Sequence, residues 1–212
     1  MTKIVILGDV HGKTHIYQKM LRQKFEGVRT IQIGDMGLGF KGVGLPVLPD
    51  NHKFFRGNHD DPEKCKMHAN YLGKDDFGFL PEDNLFWLAG AYSIDARWRV
   101  PGVSWWSGEE LSVNQLQAAI DLYKEVKPKY VISHEAPEEA ALYMLTVIQP
   151  GFRPEKLMKN RTSAALQVMH DAHQPKEWAF GHYHLNKSFD WRGTKFTCVG
   201  ELSTYELNTD AE

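Results

Sequence analysis

Ile4-Val5-Ile6-Leu7-Gly8-Asp9-Val10-His11-Gly12 is the stretch on which the reading of this chain turns. Four consecutive apolar residues, two of them β-branched, read as a strand buried on both faces. Asp9 and His11 follow at once, flanked by Gly8 and Gly12, so a loop turning at the glycines can bring both side chains to one point. The plainer reading is a polar turn carrying an incidental histidine. The same arrangement recurs four times, however. Thr30-Ile31-Gln32-Ile33 runs into Gly34-Asp35, and Lys53-Phe54-Phe55-Arg56 runs into Gly57-Asn58-His59-Asp60. Tyr130-Val131-Ile132-Ser133 leads to His134, and a strand beginning at Trp178 leads to Gly181-His182-Tyr183-His184.

Working outward, a helix is expected from about Thr14 to Phe25, and Pro62 suits the first position of another. Strand and helix alternate through the first third, which says α/β. Residues 37 to 51 and 73 to 84 read as loops. Phe86-Trp87-Leu88 and Ala91-Tyr92-Ser93-Ile94 read as two short strands joined through Gly90. Ser112-Val113-Asn114-Gln115 is a capping-box pattern that opens a helix to about Val126, ended by Pro128. Residues 154 to 173 are a second long helical candidate. Trp178 to Val199 reads as three strands with turns at Gly181 and Arg192-Gly193, an antiparallel ending that suggests a second sheet. Without repeat or linker, residues 1–212 read as one domain.

The 212 residues, 42% hydrophobic and 25% charged, suit a globular chain with a substantial core. A formal net charge of -2 gives no global field for nucleic acid or anionic membrane. No apolar run is long enough to span a bilayer. With no signal peptide at the N-terminus and two isolated cysteines, Cys65 and Cys198, the expected location is the cytoplasm, with both thiols reduced.

Carboxylate, imidazole and amide oxygen together form a ligand set for a first-row divalent metal such as manganese, iron or zinc. So many ligands at strand ends point to two ions, and a carboxylate such as Asp35 can bridge a pair about 3.5–4 Å apart, as in-line phosphoryl displacement requires. Asn58 can ligate without adding charge, and a neighbouring non-ligand, His59, can act as general acid. In a strand, His182 and His184 would point to the same face. Gly37-Leu38-Gly39-Phe40-Lys41-Gly42 also matches a dinucleotide fingerprint, but Val43-Gly44-Leu45-Pro46 breaks the helix that such a site needs. Arg56 is a candidate for substrate phosphate, against a solvated strand end. Arg97 and Arg99 flank Trp98 near Trp105 and Trp106, a set that would suit a nucleotide or simply fill space between sheet and helix. His170 and His173 read as residues at a helix C-terminus, where the macrodipole favours cations.

These five clusters, in order, resemble the motifs of the calcineurin-like metallophosphoesterase superfamily. The likeness covers most of the chain. More loosely, Gly90 to Asp95 with Ser104-Trp105-Trp106 and Glu109 resembles its small bacterial and phage members. The resemblance implies two facing mixed β-sheets flanked by helices, an α/β/β/α sandwich with metals at the strands' C-terminal edge. By resemblance, Asp9, His11, Asp35 and His184 hold one ion and Asp35, Asn58, His134 and His182 the other, with manganese first and iron, zinc, nickel or cobalt as alternatives. His59 protonates the leaving group. One departure counts against phosphoprotein phosphatase activity: Leu38 and Gly39 stand where GDxxDRG has Asp and Arg. Asp60 is then the substitute orienter of His59.

The expected activity is metal-dependent hydrolysis of phosphodiester or phosphomonoester bonds in small molecules or nucleotides. A nuclease acting on short nucleic acid is the alternative within the fold, since the charge counts against long duplexes. A scaffold that has lost its metals is the alternative outside enzymes, and the intact ligand set argues against it. Oligomeric state has no signature in the sequence.

Overall fold

A computed structural model describes residues 2–44, 46–149 and 160–210. Two mixed sheets face each other with helices outside. In the four-stranded sheet, β1 (Thr2–Leu7), β2 (Thr30–Ile33) and β3 (His52–Phe55) run parallel, and β10 (Thr204–Thr209) lies antiparallel against β1. The six-stranded sheet has the order β4 (Phe77–Leu80), β5 (Leu85–Leu88), β6 (Tyr130–Ser133), β7 (Glu177–Phe180), β9 (Thr194–Cys198), β8 (Lys187–Trp191). Its four central strands are parallel and its two edge strands antiparallel.

The pleat sorts the side chains of the larger sheet. Leu85, Trp87, Tyr130, Ile132 and Ala179 join Ile4, Ile6, Ile31 and Ile33 in one core. Phe86, Leu88, Val131, Trp178, Phe180 and Phe196 belong to the other. This is the period-2 alternation of strands covered on both faces. Phe55 stacks on Trp87 across the gap between sheets, ring centres 5.7 Å apart. The second core is closed by α3 (Val113–Val126), α4 (Glu138–Tyr143) and α5 (Arg161–Ala172). On the smaller sheet, α1 (Thr14–Lys24) buries Tyr17 and Leu21, and the Tyr17 hydroxyl meets His52. The Ser112–Gln115 capping box forms as expected, and Asp61 caps α2 (Pro62–Lys66).

Several expectations are corrected. Residues 91–94 form no strand. The chain leaves the sheet where the Gly90 N–H donates to the Arg56 carbonyl, and the Ser93 N–H donates to Glu109 Oε1. The expected 73–84 loop contains β4, turned back by Pro81–Asp83 and a left-handed Asn84. The C-terminal region is not purely antiparallel, because β7 and β9 pair in parallel. The helical candidate at 154–173 is described only from Asn160 onward, where Asn160 caps α5; its first part lies outside the described residues. His170 is buried and its Nε2 meets Thr194 Oγ1. Burial and the nearby Arg192 push its pKa down to about 4, so it is neutral and does not serve the helix end as a cation. His173 stands at the C-cap of α5, as expected, and its Nε2 donates to the Pro128 carbonyl. Among the described residues, no helix is long and apolar enough to cross a membrane.

Candidate metal centre

The parallel strands of both sheets deliver their C-terminal loops to one place. Asp9 and His11 follow β1, Asp35 follows β2, Asn58 and His59 follow β3, His134 follows β6, and His182 and His184 follow β7. The two sheets are tied there directly: His134 Nδ1 donates to the Ile33 carbonyl at 2.8 Å. A carbonyl can only accept, so this bond places the proton on Nδ1 and turns the Nε2 position into the site. Nε2 then lies 3.2 Å from Asp35 Oδ1 and 3.1 Å from Asn58 Oδ1.

Two groups of ligand-type atoms result, Asp9, His11, Asp35 and His184 in one, and Asp35, His134 and His182 in the other. Asp35 is common to both. Its Oδ1 faces His134, and its Oδ2 lies 3.7 Å from His11 Nε2. Asn58 is beside the second group, and its amide is held by Nδ2 donating to Ser93 Oγ at 2.9 Å. Gly57 makes the closure possible, since a Cβ there would sit 2.2 Å from Asp35 Oδ1 and 2.6 Å from His134 Nε2.

His182 and His184 are not in a strand, contrary to expectation, because β7 ends at Phe180. Both take left-handed backbone angles, as do His11 and Asp35, which makes these four of the eight non-glycine residues with positive φ among those described. Side chains with a Cβ disfavour this region, and strain of this kind gathers at sites where orientation matters. The Asp35 turn is held by its carbonyl, which accepts the N–H groups of Val10 and His11 at 2.9 and 2.8 Å.

The donor set fits divalent cations. Asp9 Oδ2 is buried without an aligned hydrogen bond, although His184 Nε2 lies 3.1 Å away. His11 Nε2 and His184 Nε2 face each other at 2.8 Å. Nitrogens and an orphaned carboxylate oxygen aimed at a common point suit an ion. The electrostatics of the cluster favour positive charge at this point. Burial opposes charge on His134, but Asp35 and Asp9 prevail and push its pKa up to about 10. Burial likewise works against Asp9 and Asp35, yet the adjacent imidazoles hold both carboxyls below their usual range, and His11 is raised by Asp9 and Asp35 against its burial.

His59 stands outside both groups. Its N–H donates to Asp35 Oδ1 at 2.7 Å and its ring meets His11 edge-on with centres 4.9 Å apart. Asp60 does not orient it. The Asp60 carboxylate accepts N–H bonds from Met36, Gly37, Leu38 and Gly57 at 2.7 to 3.2 Å, pinning the loop after β2 to the loop after β3. The residue against the His59 ring is Arg99. Burial, and then the Arg99 charge, outweigh the pull of Asp35 and push His59 down to about 4.

Arg56 is also displaced from its expected role. It is 1% exposed, with Nη2 donating to Asp76 Oδ2 at 3.0 Å and Nη1 to the Glu109 carbonyl at 2.7 Å. A guanidinium held by those acceptors anchors the loop carrying Glu109 and is not offered to a phosphate at the surface. Glu109 in turn holds Ser93, and Ser93 holds Asn58. No spacing in the sequence announces that relay, since its members are 16 and 35 positions apart.

No protein-family model matches the chain. No characterised relative matches it in sequence. Among solved structures, the chain is similar to the phosphopantetheinyl hydrolase of Mycobacterium tuberculosis, at TM-score 0.52 and 10% identity over 94% of this chain and 90% of that one. A conserved uncharacterized protein of Streptococcus pneumoniae TIGR4, described as a predicted phosphoesterase, aligns at TM-score 0.44 and 13% identity over 98% of this chain and 83% of that one. An anchor protein of the Plasmodium inner membrane complex aligns at TM-score 0.46 and 12% identity over 94% and 71%. The first of these supports the fold; the other two, below 0.5, carry no argument.

Proposed function

We propose that this chain, as a single domain of residues 1–212, is a metal-dependent phosphoesterase of the cytoplasm acting on small phosphoesters or nucleotides. The observation that carries the reading is Asp35, a buried carboxylate with one oxygen toward His134 and the other toward His11. A shared carboxylate between two ligand groups is the arrangement that a pair of cations requires. The likeness in fold to a phosphopantetheinyl hydrolase agrees with it.

Asp9, His11, Asp35 and His184 would hold one ion, and Asp35, Asn58, His134 and His182 the other, with manganese the first choice. When bound, such a pair supplies Lewis-acid charge for in-line displacement at phosphorus and lowers the pKa of the attacking water. The protein's own groups do the rest. The Ile33 carbonyl fixes the tautomer of His134, and Ser93 turns the Asn58 oxygen inward. His59, close to the cluster but outside the ligand groups, would donate a proton to the departing oxygen, typically worth about 10²–10⁴-fold. With its pKa near 4 the imidazole is neutral at pH 7 before substrate arrives. The negative charge of a phosphoester beside it favours the protonated form, so substrate and proton would come together.

The test is hydrolysis of bis-p-nitrophenyl phosphate and p-nitrophenyl phosphate, side by side, after EDTA treatment and again after addition of Mn²⁺. The proposal expects activity to vanish and return. Undiminished activity in EDTA, or none on any phosphoester with Mn²⁺, would overturn it.

A further inference from the structure

Ring-to-ring steps lead outward from the ligand cluster. His11 meets His59 at 4.9 Å, Phe40 lies nearly parallel to His59 at 6.0 Å and 15°, and Trp106 meets Phe40 edge-on at 5.4 Å. Phe40 and Trp106 are half-buried, so each keeps surface toward solvent. Their position is fixed. Gly39 has φ +105°, and a Cβ there would come within 2.8 Å of the Trp106 ring and 2.5 Å of Asp61 Cβ. The Trp106 ring therefore approaches bare backbone at Gly39, a contact that joins the 37–44 loop to the 95–106 loop at the rim of the site.

Arg99 enters at the inner end of this wall. Its Nε and Nη2 are held by the two oxygens of Asp95, at 2.7 and 2.9 Å, a bidentate grip that pre-sets the guanidinium plane. Its Nη1 and Nη2 lie 3.2 and 2.5 Å from the two ring nitrogens of His59. Nη1 also donates to the Ser104 carbonyl at 3.3 Å. An imidazole offers at most one acceptor nitrogen, so of the two N–H groups turned toward His59 one finds no acceptor on the ring. A guanidinium so held, beside the ligand cluster and with a donor to give, has the geometry for a phosphate oxygen.

Resting on the phosphoesterase reading, we infer that Arg99 grips the substrate phosphate and that Phe40 and Trp106 form a platform for a flat heteroaromatic group, making the substrate class nucleotides. Arg99 takes the role first expected of Arg56. Asp95 is its positioning residue. The phosphate sits between His59, Arg99 and the ligand cluster, and the base extends over Phe40 toward Trp106.

The test uses the full chain loaded with Mn²⁺ and two probes that cannot be hydrolysed, adenosine 5′-methylenephosphonate and methylphosphonate, titrated by calorimetry. Base–aromatic stacking of the usual strength gives the adenosine probe about tenfold or more in affinity. In Trp106→Ala the two affinities converge, and Phe40→Leu narrows the gap. In Arg99→Ala both probes weaken together by about tenfold to a hundredfold, Arg99→Lys recovers part, and Asp95→Asn falls between. Thermal melts identify any variant that has lost its fold, in which case Trp106→Phe and Arg99→Lys carry the comparison. Equal affinities in the wild type, a gap that survives loss of Trp106, or probes indifferent to Arg99 would each overturn the inference. Hydrolysis of bis-p-nitrophenyl phosphate by the same preparation separates the two claims. Turnover with equal probe affinities sinks the subsite alone, whereas no turnover and no binding of either probe sinks the phosphoesterase.

Discussion

Filling the site of the ion-free protein should expel a proton from His134. This imidazole is fully buried, its Nδ1 proton is held by the Ile33 carbonyl, and its Nε2 faces Asp35 and Asn58. Asp35 and Asp9 overcome burial and raise its pKa to about 10. At pH 7.5 the ring is then mostly protonated, and a ligated cation needs the Nε2 lone pair, so about one proton leaves per chain. His11, also raised, adds to the release. Affinity for Mn²⁺ should accordingly rise about tenfold per pH unit between roughly pH 7 and 9. Calorimetric titration of Mn²⁺ in two buffers of different ionisation enthalpy reads the proton count directly, and His134→Ala should remove about one. The same shift bears on stability. A raised pKa stabilises the ion-free fold fully below about 6.5 and loses that contribution as pH climbs through 10. The ion-free melting temperature should therefore fall across that window. Heats identical in both buffers, with affinity flat from pH 6 to 9, would refute the placement of His134 between the two carboxylates.

Three substitutions separate the roles of neighbouring residues. His59→Ala should keep its metal content yet lose about 10²–10⁴-fold in rate, most on esters with poor leaving groups, and loss of the metals instead would show His59 to be a ligand. Asp60→Ala strips the acceptor from four buried N–H groups, so chemical denaturation should register more than about 4 kcal/mol of destabilisation, and a neutral effect would contradict its role as a loop clasp. Arg56→Met removes the guanidinium from buried Asp76, which keeps Lys66 and the Tyr71 hydroxyl, and should cost about 1–3 kcal/mol of stability, whereas a raised KM with unchanged stability would restore it to the substrate.

The strands carrying the site were legible because buried parallel strands must be apolar, and a carboxylate or imidazole at their ends interrupts that pattern visibly. Asp9, Asp35, Asn58 and His134 could be placed on one edge for that reason. Edge elements were not. β4 contains Gly78 and follows an acidic run, and its pairing to β5 depends on a turn at Asn84 that no periodicity announces. β10, at the far end of the chain, pairs Thr209 with Thr2, a contact that exists only once the fold is closed. Side-chain roles failed in the same way. Asp60 and Arg56 adjoin the Asn58–His59 pair in sequence, which suggested catalysis, but proximity along the chain does not say where a side chain points. Backbone amides claimed the one and Asp76 the other. Arg99, forty residues from His59, occupies the place that the nearer residues were expected to fill.

The most direct measurement is electron paramagnetic resonance on the Mn²⁺-loaded protein, with metal content determined on the same sample. Two ions per chain with a spin-coupled signal, reduced to at most one uncoupled ion in Asp35→Ala, is the predicted result. A single ion in the wild type, or two that show no coupling, would contradict a pair of cations held around Asp35.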